Sequence, residues 1–151
     1  MSTFIGNIES KIDAKGRIFI PAVYRRLLPE GYTGRVVLRR DADNECFLLY
    51  PEPVWNKKVE ELKENLDEWN PVDQMLLMQF VSDAEWLDID SQGRILIAKR
   101  HLQAIGVEGS LLFVGMMDRF AIWRKETFES KRMNSQDFSA LLKERMMKKM
   151  Q

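Results

Sequence analysis

The chain has 151 residues, 45% of them hydrophobic, with one cysteine, one histidine and a formal net charge of zero. That apolar content suffices for a buried core in one domain or two small ones, while Cys46 alone cannot form an intrachain disulfide and, with His101, supplies too few ligands for a typical zinc site. The charge is unevenly spread, +5 over residues 1–40, −11 over 41–90 and +6 over 91–151, so the folded molecule either gathers a basic face for a polyanion or carries these charges scattered and solvated.

In chain order, Glu9, Lys11, Asp13, Lys15 and Arg17 interrupt the stretch before Pro21, which excludes a signal peptide or membrane span there and makes a cytoplasmic protein the expectation. A strand runs into Asp13-Ala14-Lys15-Gly16, where Asp at the first and Gly at the fourth position suit a type I turn. A second strand ends at Ile20, and Pro21 opens a short helix from Ala22 to Leu28 that Pro29 and Gly31 stop. Val36-Val37-Leu38 and Cys46 to Tyr50 read as strands joined by a tight hairpin through Asp41-Ala42-Asp43-Asn44. Pro53 then opens a helix with Trp55, Val59, Leu62 and Leu66 on one face, and Pro71 opens another through Phe80.

The next segment repeats the first. Ile12-Asp13-Ala14-Lys15-Gly16-Arg17-Ile18-Phe19-Ile20 returns as Ile89-Asp90-Ser91-Gln92-Gly93-Arg94-Ile95-Leu96-Ile97. Gly34 to Leu38 answers to Gly109 to Phe113, Phe47 to Tyr50 answers to Phe120 to Trp123, and Trp55 has its counterpart in Phe128. Self-similarity of this kind decides the fold. Each copy is too small to bury both faces of a sheet, so the two must pair. The expected fold is α+β and mainly β, a closed pseudo-two-fold barrel built from two repeats with a helical insert and a C-terminal helix. Its divisions are 1–52 for the first repeat, 53–82 for the insert, 83–124 for the second repeat and 125–151 for a C-terminal helical segment. There, a helix from Ser135 to Met150 carries Phe138, Leu141, Leu142 and Met146 at helical spacing, a face for the barrel or for a neighbouring subunit, with the methionine-rich end as a frayed tail the alternative.

Catalytic constellations are lacking. Asp88 and Asp90 share a face of a strand-like stretch with no nucleophile, base or metal ligand beside them, no Gly-rich phosphate loop appears, and Cys46 sits in an apolar strand as a small hydrophobe. His101 takes the repeat position of Tyr24, which suits packing. No enzyme activity, cofactor, metal or small-molecule substrate is expected. Arg17 and Arg94 each follow a tight turn, where a guanidinium either grips phosphate or guanine or pairs with its own aspartate and stiffens the turn.

Taken together, Phe4 and Gly6, the Asp-x-Lys-Gly-Arg box followed by Pro21, Leu48-Leu49-Tyr50-Pro51, and the second box from Asp90 to Arg94 resemble the MraZ family of transcription regulators, linked to bacterial cell-division and cell-wall gene clusters. The second copy departs in having Gln92 for Lys15 and Ala98 for Pro21. The resemblance implies fused swapped-hairpin barrel halves of the AbrB type, a ring homo-oligomer, and repression by binding to tandem short boxes in double-stranded DNA at the promoter of the cluster. It assigns DNA contact to Arg17 and Arg94, with Asp13 and Asp90 orienting them, since a free carboxylate is repelled by phosphate. Lys11, Lys15, Gly16 and Gly93 complete the expected DNA-binding set, and Arg25, Arg26, Lys99 and Arg100 are further candidates for phosphate contact. A nucleoid-associated cytoplasmic protein follows. A ring-forming protein-interaction scaffold, suggested by the acidic insert and the methionine-bearing helix, is the alternative.

Overall fold

The computed structural model describes residues 3–28, 34–41, 43 and 45–150, excepting the side chains of 149 and 150. In the first copy, β1 (Asn7–Lys11), β2 (Arg17–Phe19), α1 (Ala22–Arg25), β3 (Arg35–Asp41) and β4 (Cys46–Pro51) follow one another. Then come α2 (Glu52–Asn65) and α3 (Pro71–Ser82). The second copy is β5 (Ala84–Asp88), β6 (Arg94–Leu96), α4 (Lys99–Ala104), β7 (Ser110–Met116) and β8 (Arg119–Trp123), and α5 (Lys125–Lys131) and α6 (Ser135–Met150) end the chain. The order of elements agrees with the reading of the repeat. The Pro29 and Gly31 stop, and the hairpin tip at Ala42 and Asn44, lie outside the described residues.

Six strands form one antiparallel sheet in the order β1-β7-β8-β4-β3-β5, while β2 and β6 form a separate two-stranded ribbon. Exchanging the copies turns the sheet order into its own reverse, and the registers follow: Ile8 opposes Phe113 as Glu85 opposes Leu38. The arrangement is therefore pseudo-two-fold. Closure of the barrel is corrected, however. Among the described residues β1 pairs in the sheet only with β7 and β5 only with β3, and the first strand meets β2 through the backbone bridge between Ile12 and Ile18 and the Ser10 hydroxyl, which donates to Phe19 O at 3.3 Å. A three-residue ribbon offers too few backbone groups to sew both edges shut, and side-chain packing does most of the joining to the sheet. "Mainly β" is corrected as well: helices of 14, 12 and 16 residues stand beside strands of three to seven.

Strand alternation explains the two cores. On the inner face, Val36, Leu38, Phe47, Leu49, Phe113, Phe120 and Ile122 pack with Ile18, Ile20, Ile95 and Ile97 of the ribbon segments and with Tyr24 of α1. The Tyr24 hydroxyl donates to the Gly6 carbonyl at 3.0 Å, so this buried ring keeps its polar end satisfied. On the outer face, Val37, Leu48, Tyr50, Leu112 and Ala121 are covered by α2, where Trp55 lies 5.4 Å from Tyr50 and stacks on Phe80 of α3 at 5.3 Å. Phe128 of α5 meets Trp123 at 5.4 Å in the same way, so the repeat extends into its first covering helix. Cys46 is buried in this layer, and burial pushes its thiol up to about 12. Of the two places expected for the α6 face, the barrel is not the one taken: Phe138, Leu142, Met146 and Met147 are exposed.

Candidate nucleic-acid interface

Both boxes build the same turn. Asp13 Oδ1 accepts from the backbone N–H groups of Lys15 and Arg17 at 2.9 and 2.8 Å, and its Oδ2 accepts from Arg17 Nε at 2.7 Å. Asp90 does the same for Gln92, Arg94 and Arg94 Nε at 2.9, 2.9 and 2.8 Å. The aspartate thus closes the turn and sets the arginine, and these hydrogen bonds, led by the backbone N–H of Arg17 or Arg94, hold both carboxyls below their ordinary value. Gly16 and Gly93 occupy the fourth turn position at φ +87° and +82°, where a side chain is strained. The two readings of the arginines are compatible. Each gives Nε to its aspartate, and among the described residues no hydrogen bond engages the terminal nitrogens of either fork.

The fold brings the turns together. β2 and β6 pair antiparallel with Arg17 opposite Leu96 and Phe19 opposite Arg94, and hydrogen bonds from Ile20 N–H to Gly93 O at 3.0 Å and from Ile97 N–H to Gly16 O at 3.2 Å lash each turn to the other copy. Ile18 and Ile95 point into the core. By the period of two, Arg17, Phe19, Arg94 and Leu96 share the outward face of one ribbon. Lys11 and Lys15 are exposed at the end of β1 and in the first turn. Gly16 and Gly93 are buried and shape the turns.

Two candidates fall on the other copy's turn. Arg25 of α1 reaches the second turn, donating from Nη1 to Gln92 O at 3.3 Å and lying against Gly93. Lys99 of α4 lines a cavity of about 510 Å³ beside the first turn, with Asp13, Gly16, Gln103 and Glu108. Leu102, the repeat counterpart of Arg25, lines the same cavity. Sequence reading grouped these residues with their own boxes because it could not see the strand exchange, and no local signal marks it: the two helices differ at nearly every position, Arg25 against Leu102 among them. Arg100 is drawn to Glu85 at 3.7 Å, and His101 meets the same carboxylate at 2.8 Å and the Phe47 ring at 5.3 Å, a packing and pairing role.

No helix among the described residues is long and apolar enough to cross a membrane. A family model described as "MraZ protein, putative antitoxin-like" matches residues 3–77 and 80–149. The chain is similar to proteins named transcriptional regulator MraZ from Bacteroides fragilis, at 45% identity over 97% of this chain and 92% of the relative. It is likewise similar to those from Bacteroides thetaiotaomicron, at 44% over 97% and 94%, and Marinobacter nauticus, at 34% over 86% and 87%.

Proposed function

The chain belongs to the MraZ family, and from that premise we propose that it regulates transcription by binding double-stranded DNA with the outward face of the β2–β6 ribbon. One observation carries the reading: the arginines of two boxes far apart in sequence stand on one face of one ribbon, each anchored through Nε, with no hydrogen bond to its terminal nitrogens among the described residues. A two-stranded ribbon fits the major groove, and a guanidinium there takes guanine or phosphate. Lys11 and Lys15 add phosphate contacts that position the protein. Asp13 and Asp90 act through the arginines, and Gly16 and Gly93 permit the turns.

In this reading the four divisions at 1–52, 53–82, 83–124 and 125–151 are two AbrB-type repeats, an insert and a C-terminal segment. The protein is a cytoplasmic, nucleoid-associated repressor at the promoter of the division and cell-wall cluster. Subunits assemble into a ring. Exposed apolar residues on α3 (Met75, Leu76, Met78) and α6 (Phe138, Leu142, Met146) support self-association, and a ring repeats the ribbon so that tandem boxes gain from effective concentration.

Fluorescence anisotropy with duplexes carrying one, two or three copies of the repeat upstream of its own gene tests this at several salt concentrations. Affinity rises steeply with box number, falls with salt, and collapses in Arg17→Ala and Arg94→Ala. Affinity indifferent to box number and to both substitutions refutes the site and brings forward the protein-interaction scaffold.

A further inference from the structure

The ribbon face that holds the arginines also holds two exposed apolar side chains. Phe19 is 51% exposed and Leu96 57% exposed, although both lie in strands whose neighbours, Ile18, Ile20, Ile95 and Ile97, are fully or almost fully buried. They occupy the same repeat position, so the exposure occurs twice. Each lies directly across the ribbon from the other copy's arginine, Phe19 from Arg94 and Leu96 from Arg17, and the Arg94 guanidinium sits 5.7 Å from the Phe19 ring.

We propose that Phe19 and Leu96 determine sequence specificity by packing against the 5-methyl groups of thymines in the major groove, beside the guanine or phosphate taken by each arginine. The proposal rests on the DNA-binding reading above and names what the rest of that face reads. Geometry and chemistry agree. Opposed side chains on a ribbon stand about 5 Å apart, and alternate residues along a strand about 7 Å, so every apolar side chain lies within a base-pair step or two of a guanidinium. The thymine methyl is the one apolar group a base pair shows in the major groove. A charged partner alone leaves the phenyl and isobutyl groups in water, whereas a duplex edge offering both acceptors and methyls satisfies all four positions at once. The flanking arginines favour DNA over a second copy of the chain as the occupant, because an identical ribbon would bring like charges together.

Deoxyuridine in place of every thymine removes the methyls without touching the protein. Starting from duplexes that the unaltered protein selects from random sequence, the substitution is expected to weaken binding by about fourfold per contacted methyl, the worth of one buried methylene-sized group. Phe19→Ala with Leu96→Ala weakens binding to thymine DNA by a similar factor and abolishes the difference between thymine and deoxyuridine duplexes, with an unchanged circular dichroism spectrum. Selected sites without thymine, or equal binding of the two duplexes by the unaltered protein, overturn the proposal while leaving DNA binding intact. Loss of oligomeric mass in the double variant, with thymine discrimination retained, also overturns it and makes the apolar pair a contact between subunits. Failure of the unaltered protein to bind any duplex instead removes the reading on which the proposal rests.

Discussion

Gly93→Ala tests whether the second turn is held by the first copy's helix. Gly93 stands at φ +82°, and a Cβ there falls 2.5 Å from Arg25 Cδ and also collides with Nη1. An L side chain in that backbone region costs about 1–2 kcal/mol, and driving Arg25 away forfeits its hydrogen bond to Gln92 O, worth about 0.5–1.5 kcal/mol. Together the single substitution loses about 2–3 kcal/mol. Arg25→Ala alone forfeits only the hydrogen bond. In the double variant the arginine is already absent, so alanine at 93 adds backbone strain but no collision, and the double loss should equal that of Gly93→Ala rather than the sum of the two. Urea unfolding of the four proteins yields the coupling directly, with about 1 kcal/mol of recovery expected from the shared hydrogen bond. Strict additivity would refute the claim that Arg25 occupies the space over the turn.

Asp13 and Asp90 have folded-state carboxyls lowered by the Arg17 and Arg94 backbone N–H groups, so what they contribute to stability is complete above the ordinary aspartate value of 3.8 and is lost as pH falls through the lower folded values. Carboxyl NMR titration should show both below that value, and Asp13→Asn with Asp90→Asn should reduce the acid dependence of unfolding; a normal titration of both groups contradicts the turn geometry. Cys46 is 1% exposed with its thiol pushed up to about 12, so the native protein should resist a thiol reagent at pH 8 that labels it fully in urea; rapid native labelling shows that this layer opens. Leu142→Asp with Met146→Asp places charge on the exposed face of α6, and light scattering should report a smaller assembly with helical content unchanged. An unaltered mass means that α6 is not part of the subunit contact.

Local chemistry was legible and long-range pairing was not. An aspartate three residues before a glycine announces its own turn, and both turns formed with the carboxylate on the intended N–H groups. Val36 and Leu38 enter one core and Val37 the other, as the strand period requires. Period, however, does not name a partner strand: nothing in Arg17-Ile18-Phe19 says that it bonds to Arg94-Ile95-Leu96 and not to its own neighbour, and the closed barrel was inferred from the need to cover edges. The same gap misplaced Arg25 and Lys99, which serve the turn of the opposite copy. Helical spacing in α6 marks an apolar face without saying what covers it.

In the proposed reading, the pairing of β2 with β6 makes recognition a joint property of the two copies. A chain severed in the connection between α2 and α3 would leave each fragment with its own Asp–Arg pair and only half a ribbon, so neither fragment presents the four-residue outward face until the two find each other. The same sharing constrains inheritance. A substitution in either half alters a face to which both contribute, and the halves cannot drift toward separate tasks without dismantling the strand pair that joins them.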